Sequence, residues 1–139
     1  MISETIIGIR FDECGAHGIV HHSHYNHWLE TAQFDLLKKH GTDYVSLLNE
    51  GYYFPMIRLG VDFVTPARLG DEVCVRLSIK ELGRVKIVFA YEIVRTSDQR
   101  LIARATSEHV FLNREFKPAD IKRAFPGLYE AFLAYVQAE

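Results

Sequence analysis

From residue 53 onward the chain alternates, and that alternation limits what it can fold into. Residues 53–64 place Ile57, Leu59, Val61 and Phe63 at every second position, and residues 72–82 do the same with Val73, Val75, Leu77 and Ile79. Residues 85–96 (VKIVFAYEIVRT) and 101–112 (LIARATSEHVFL) read as two further long strands. A period of two marks a strand with one buried face. The connections at 83–84 and 97–100 are short and polar, as in an antiparallel meander. Pro55, Pro66 and Pro118 fall near strand or helix boundaries, where a missing N–H is tolerated. The apolar face of such a sheet has to be covered by something.

Only one other segment is large enough to do so. Tyr25, Trp28, Leu29, Ala32, Leu36 and Leu37 recur at helical spacing and predict a helix over residues 23–40, with Ser23 as N-cap and Gly41 at its end. At 1.5 Å per residue that helix is about 27 Å long, enough for the spine of a small domain. Ahead of it, Ile6, Ile7 and Ile9 predict a first strand over residues 4–14, turned at Gly15 and Gly18. Behind it, Thr42 or Asp43 caps a short helix over 44–49, and a last helix is expected over 126–138. The expected fold is α+β: a curled antiparallel sheet around a long central helix, in one domain spanning 1–139. One sheet face is left open, which invites dimerisation.

Composition narrows the partners. The formal charge of −2 gives no electrostatic case for nucleic acid or an anionic membrane surface. No apolar run approaches the roughly 18 residues of a membrane span, and residues 1–13 lack a basic region ahead of an apolar core, so neither a membrane anchor nor a secretion signal is expected. Cys14 and Cys74 form no disulfide framework and read as free thiols in a reducing cytoplasm.

Chemistry concentrates in residues 11–30, FDECGAHGIVHHSHYNHWLE. Five of the seven histidines lie there with three acids, a cysteine and two glycines. A glycine loop running into a helix N-terminus leaves backbone N–H groups without partners at the positive end of the helix dipole, a place to hold an anion or do chemistry.

Gly18, Val20, His22, Tyr25, Trp28 and Glu30 match a pattern Asp-x-x-Gly-x-Val-x-(His/Tyr)-x-x-Tyr followed by an aromatic and an acid on a central helix. VDFVTPARLGDEV at 61–73, RVKIVFAYEIVR and EHVFLNREFKPADI extend the match along nearly the whole chain. The chain resembles the hotdog-fold acyl-CoA thioesterases, in their 4-hydroxybenzoyl-CoA thioesterase-like branch. The resemblance implies a hotdog fold, hydrolysis of an acyl-CoA or acyl-carrier-protein thioester, no cofactor and no metal, and a homodimer or homotetramer sharing its active site between subunits. One position departs. Three residues before Gly18, where the family has its catalytic Asp, stands Gly15.

The roles then fall as follows. The resemblance assigns the His22 amide to the thioester carbonyl, with the His22 imidazole orienting a water or an acid. Glu13, on an extended strand, would point to the same side as position 15 and is the first substitute for the missing carboxylate; a solvated or ion-paired glutamate is the plain alternative. His17 is the other candidate base, or a surface histidine. Tyr25 packs or orients. Gly18, Val20 and Arg68 are candidate substrate contacts, Arg68 toward a CoA phosphate or else in an ion pair with Asp71. Phe54, Phe63 and Tyr91 are candidates for the acyl pocket. Ser107, Glu108 and His109 lie on the strand that lines that pocket in the family. Arg84 and Lys86 are phosphate candidates or solvated charges. His21, His24 and His27, three apart, have metal-ligand spacing but no His-Glu-x-x-His run, and read as solvated or interface histidines. Cys14 reads as a spectator thiol. Two other functions stay open: a carboxylate-independent, polyketide-type acyl-carrier-protein thioesterase, and a non-catalytic acyl-CoA-binding hotdog protein.

Overall fold

The computed structural model describes residues 1–137. Strand β1 (Ser3–Gly8) leads through a 3-10 turn at Phe11–Glu13 and a glycine loop into a second 3-10 turn at His22–His24. That turn runs straight into the long helix α1 (Tyr25–Lys39), which is followed by α2 (Tyr44–Asn49). Four strands come next, β2 (Met56–Phe63), β3 (Glu72–Leu82), β4 (Lys86–Arg95) and β5 (Leu101–Val110), and then two short helices, α3 (Ile121–Ala124) and α4 (Pro126–Leu133). The strands form one antiparallel sheet in the order β1-β3-β4-β5-β2.

The register shows why α1 is covered. Val75, Leu77 and Ile79 of β3 pair with Ile93, Tyr91 and Phe89 of β4, which pair in turn with Ala103, Ala105 and Ser107 of β5. All nine are buried, on the inner face of the sheet. Against them α1 sets Trp28, Leu29, Ala32, Leu36 and Leu37, every one nearly inaccessible. Each large apolar side chain contributes about 1.5–3 kcal/mol through burial, so this helix–sheet layer dominates the stability of the domain.

Three expectations need correction. The first strand stops at Gly8 rather than reaching residue 14, because the chain folds into the 11–13 turn there. The terminal helix ends at Leu133, and it is preceded by α3, which the apolar pattern does not announce. Tyr135 and Val136 instead lie along β3, where Ile79 N–H donates to the Tyr135 carbonyl. Residue 138, the expected end of that helix, lies outside the described residues. In β2 the alternation does not produce burial. Leu59, Val61 and Phe63 sit in register with inner-face positions of β5, yet Leu59 and Phe63 are exposed along with Met56 and Ile57. β2 is an edge strand beyond the cover of α1, with a row of unpaired backbone groups and a row of apolar side chains.

Candidate active site

The glycine loop is a small hairpin stitched to the segment before β3. Gly18 N–H donates to the Gly15 carbonyl at 3.0 Å and Gly15 N–H to the Ile19 carbonyl at 2.9 Å. Gly18 has φ +71°, a left-handed conformation that glycine adopts without penalty. Val20 N–H bonds the Ala67 carbonyl at 2.9 Å, and Leu69 N–H bonds the Gly18 carbonyl at 2.8 Å. Arg68 thus lies directly beside Ile19 at the loop's edge.

Glu13 does not occupy the place the sequence suggests. It sits in the 3-10 turn and not on an extended strand, and it is buried, with 4% of its surface exposed. One carboxylate oxygen accepts the Arg10 backbone N–H at 2.8 Å; the other accepts the Trp28 indole N–H at 3.0 Å. Its backbone carbonyl accepts His21 N–H at 3.1 Å. Glu13 therefore ties the loop to the first turns of α1.

The helix mouth is capped by His21, not by Ser23. His21 Nδ1 accepts the Ser23 backbone N–H at 3.3 Å and lies 2.7 Å from the Ser23 hydroxyl. His24 N–H goes to the His21 carbonyl at 3.1 Å. Among the described residues the His22 amide has no intramolecular acceptor. The His21 and His22 rings lie against each other, tilted by 35° with centroids 4.1 Å apart.

Below this mouth opens a pocket of about 270 Å³ lined by Ile19, Val20, His22, Tyr25, Phe63 and Pro66. Tyr25 is buried, stacked on Trp28 at 4.7 Å and set edge-on to Phe63 at 4.9 Å. Burial raises its phenol pKa, opposed in part by the Ala67 backbone amide facing it. Tyr25 is therefore a neutral wall of the pocket.

A second pocket, about 230 Å³, lies farther along α1 between Glu30, Gln33, Phe34, Tyr44, Phe54, Met56 and His109. Behind it runs a buried polar chain. Tyr44 donates to Gln33 Oε1 at 2.8 Å, Gln33 Nε2 donates to the Tyr91 hydroxyl at 2.7 Å, Tyr91 meets Ser107 at 2.7 Å, and Ser107 meets His109 Nε2 at 2.9 Å. With Gln33 donating, Tyr91 donates to Ser107 and Ser107 to Nε2, which leaves the imidazole proton on Nδ1. That Nδ1 is buried and has no partner among the described residues. Burial pushes the His109 pKa down to about 4; the Phe54 carbonyl favours the charged ring but stands outside hydrogen-bonding geometry. Phe54 stacks on the ring at 5.0 Å.

The largest cleft, about 500 Å³, is on the other side of the sheet. Its floor is a cross-strand row of small residues, Ser78, Ala90, Thr106 and Gly60, and no group of the 11–30 window reaches it. Size alone does not choose the site.

The structure thus brings Gly18, Val20, His22 and Tyr25 together with Phe63, and places Phe54 and His109 in the neighbouring pocket. His17 is exposed in the loop and lines neither pocket. Arg68 makes no ion pair with Asp71, whose carboxylate takes the Arg68 backbone N–H and the Arg95 guanidinium. Arg84 and Lys86 are held by Asp120 and Glu108. Glu30 accepts from Asn26, one turn earlier on its own helix. Cys14 faces the Arg10 carbonyl at 3.7 Å. No three His, Cys, Asp or Glu side chains among the described residues are grouped to hold a metal ion. Gln33 and Tyr44 escape a reading of the sequence, although Gln33 carries a signal: it is a polar residue between Leu29, Ala32 and Leu36 on an otherwise apolar stripe.

Comparison with known proteins is consistent with this geometry. The pattern of the thioesterase superfamily matches residues 17–102. A putative acyl-CoA thioesterase, YneP, of Bacillus subtilis is 29% identical over 132 residues, covering 94% of this chain and 95% of that protein. A 1,4-dihydroxy-2-naphthoyl-CoA hydrolase of Synechocystis is 28% identical over 90 residues, 64% of this chain and 59% of its own. Among solved structures, a DHNA-CoA thioesterase from Staphylococcus aureus superposes with a TM-score of 0.88 at 27% identity, covering 96% of this chain and 89% of that one.

Proposed function

The chain belongs to the thioesterase superfamily, and we propose that it hydrolyses an acyl-CoA thioester at the mouth of α1. The observation that carries this is the His22 amide, which has no intramolecular acceptor among the described residues and belongs to a residue that lines the pocket at the positive end of the helix. A backbone donor fixed in place before the reaction stabilises charge developing on the thioester oxygen, an effect worth about 10²–10³ in rate where single donors have been removed. The His22 ring is the imidazole of that pocket and orients the attacking water. Glu13 is a positioning residue here, because both carboxylate oxygens are engaged by Arg10 and Trp28. His17, outside both pockets, has no part in the step. Arg68, free of ion pairs among the described residues and beside Ile19, is the cation placed to meet a CoA phosphate. The missing carboxylate at Gly15 favours slow, donor-driven hydrolysis over general-base catalysis.

The second pocket suits the acyl group. An apolar cavity of about 150 Å³ holds a benzene, so 230 Å³ between Phe34, Phe54 and Met56 takes a substituted aromatic ring. The unpartnered His109 Nδ1 at its edge favours a ring bearing a hydroxyl, in keeping with the dihydroxynaphthoyl substrate named for the Synechocystis relative.

Both pockets border β2. Two copies joined antiparallel along this edge, about a twofold axis at the strand's middle, would set the Phe63 end of one beside the Met56 end of the other. The thioester pocket of one copy would then meet the acyl pocket of its partner. A homodimer is the functional unit in this reading.

The test is release of free CoA from a panel of aliphatic, benzoyl and hydroxybenzoyl thioesters, each with carrier-protein counterparts. Hydroxylated aryl-CoA should be turned over fastest. Binding without turnover of any member would refute the enzymatic reading and leave an acyl-CoA-binding protein; turnover confined to carrier-bound acyl groups would move the substrate to the carrier.

A further inference from the structure

We propose that His21 is a positioning residue of this site: its neutral imidazole caps the helix mouth so that the His22 amide alone stays free for the thioester oxygen. The inference rests on the oxyanion reading of His22 given above.

The contacts of His21 account for every amide around the mouth except one. Its own N–H is bound by the Glu13 carbonyl, its carbonyl takes His24 N–H, and its Nδ1 takes Ser23 N–H. His22 N–H is what remains. Ordinary caps are Ser, Thr, Asp or Asn, whose oxygens accept at any pH near neutrality. A histidine caps only while Nδ1 carries a lone pair. The Ser23 N–H and hydroxyl both converge on that atom, 3.3 and 2.7 Å away, so the ring proton belongs on Nε2. Protonation would turn Nδ1 into a donor to the Ser23 hydroxyl and leave the Ser23 N–H without its acceptor.

The surroundings make that conversion consequential. His21 lies against His22 at 4.1 Å and meets His24 edge-on at 6.4 Å, and His24 lies 6.2 Å from His27. The four rings thus cluster at the positive end of α1, where the dipole disfavours a cation. The preceding turn carries Arg10, Asp12 and Glu13: Arg10 pairs with Asp12 at 3.3 Å, and the Glu13 carboxylate is occupied by the Arg10 amide and the Trp28 indole. The segment before β3 carries Arg68. Phe63, at the end of β2, adds no charge beside the His22 ring. Among the described residues no carboxylate on these elements is bonded to the His21 ring, whose only side-chain partner is Ser23. The oxyanion donor is therefore gated through the lone pair of its cap.

The experiment compares the full chain with His21→Asn and His21→Ala. Asn supplies a capping oxygen that does not titrate. Kinetics of the fastest acyl-CoA of the panel are followed from pH 5 to 9, and the tautomer of His21 is read by long-range ¹⁵N–¹H NMR. The expected results are an Nε2–H tautomer at pH 8 and a kcat that falls as His21 protonates. His21→Asn should keep kcat within about twofold at pH 8 and lose that part of the acid fall. His21→Ala should lower kcat about five- to tenfold with KM nearly unchanged, the size of a lost cap expressed at the reacting oxygen. An Nδ1–H tautomer, an acid limb unaltered in His21→Asn, or a wild-type kcat in His21→Ala would each overturn the proposal while leaving the oxyanion reading intact. If no thioester is hydrolysed at all, that reading fails, and the cap is still decided by NMR. The Ser23 and His22 amide resonances should then move with His21 titration in the wild type and stay fixed in His21→Asn; stationary amides in the wild type overturn it.

Discussion

Replacing Glu13 by Gln separates a carboxylate that does chemistry from one that holds structure. The two roles predict opposite readouts. Glu13 accepts two hydrogen bonds with two equivalent oxygens, from Arg10 N–H at 2.8 Å and from Trp28 Nε1–H at 3.0 Å. Gln has one acceptor oxygen and an amide that donates. Whichever way the amide turns, one N–H loses its partner and meets another donor, either the part-buried Arg10 amide or the buried Trp28 indole. A hydrogen bond to a charged group contributes about 1.5–3 kcal/mol, and an abandoned buried donor costs about 1–3 kcal/mol more. Trp28 is 2% exposed, so water does not rescue its indole. The sum is about 2–4 kcal/mol after partial relaxation. At about 4 °C per kcal/mol for a domain of this size, the melting temperature should drop by about 8–16 °C. The assay is thermal and urea unfolding at one fixed protein concentration, since a dimer's stability depends on it. Trp28→Phe added to Glu13→Gln should then cost about 1 kcal/mol less than in the wild type, because the donor it removes is already stranded. Turnover of the folded fraction should change less than about tenfold, the effect expected of a residue that only positions others. An unshifted melting temperature together with a kcat lowered more than about a hundredfold would refute the structural reading and make Glu13 the base.

The remaining outcomes follow from other parts of the same geometry. Gly15→Asp should raise kcat at least about tenfold: a Cβ there meets only the Ile19 carbonyl, at 3.8 Å, and a positioned base contributes about 10²–10⁴; unchanged turnover in a folded variant would mean position 15 does not face the thioester. Leu59→Arg, in the middle of the β2 edge, should shift the protein to a monomer in sedimentation velocity and abolish turnover, whereas an active monomer would rule out a shared site. For His109, whose folded pKa of about 4 lies below its ordinary 6.5, the unfolded chain binds more protons between those values. Stability contributed by this ring is therefore full above about pH 6.5 and lost as pH falls toward 4, by about 3 kcal/mol at most. His109→Phe should flatten that slope in urea titrations from pH 4 to 7; an equal slope would place the acid sensitivity elsewhere.

How much of this is legible in the sequence depends on whether the signal is local. β3, β4 and β5 alternate because α1 covers one face and not the other, so Val75, Leu77 and Ile79 announce their burial in sequence. The α1 stripe does the same, and α2 starts where Asp43 predicts, its carboxylate accepting Ser46 N–H at 2.7 Å. β2 alternates just as clearly and yet is exposed, since alternation says which residues share a face and nothing about how far the covering helix extends. The site is half legible. The position proposed for it, residues 18–25, follows from glycine spacing and a helix start. The fate of Glu13 does not, because it hangs on a contact with Trp28, fifteen residues away and reachable only through a turn that the apolar pattern of residues 4–14 conceals.

The same distinction explains why the histidines mislead. Their density suggests a set of equivalent groups, while the structure gives each a different task fixed by one or two bonds. His21 sets Nδ1 against Ser23, His22 lines the pocket at the helix mouth, and His109, far away in sequence, is buried beside the proposed acyl pocket. Residue type alone does not sort them, since an imidazole is acceptor, donor or cation according to what faces each nitrogen. The carboxylates obey the same logic. With both oxygens taken by the Arg10 amide and the Trp28 indole, Glu13 is a bolt between loop and helix. In this chain the placement of neighbouring donors, and not the count of titratable groups, decides what the mouth of α1 can do.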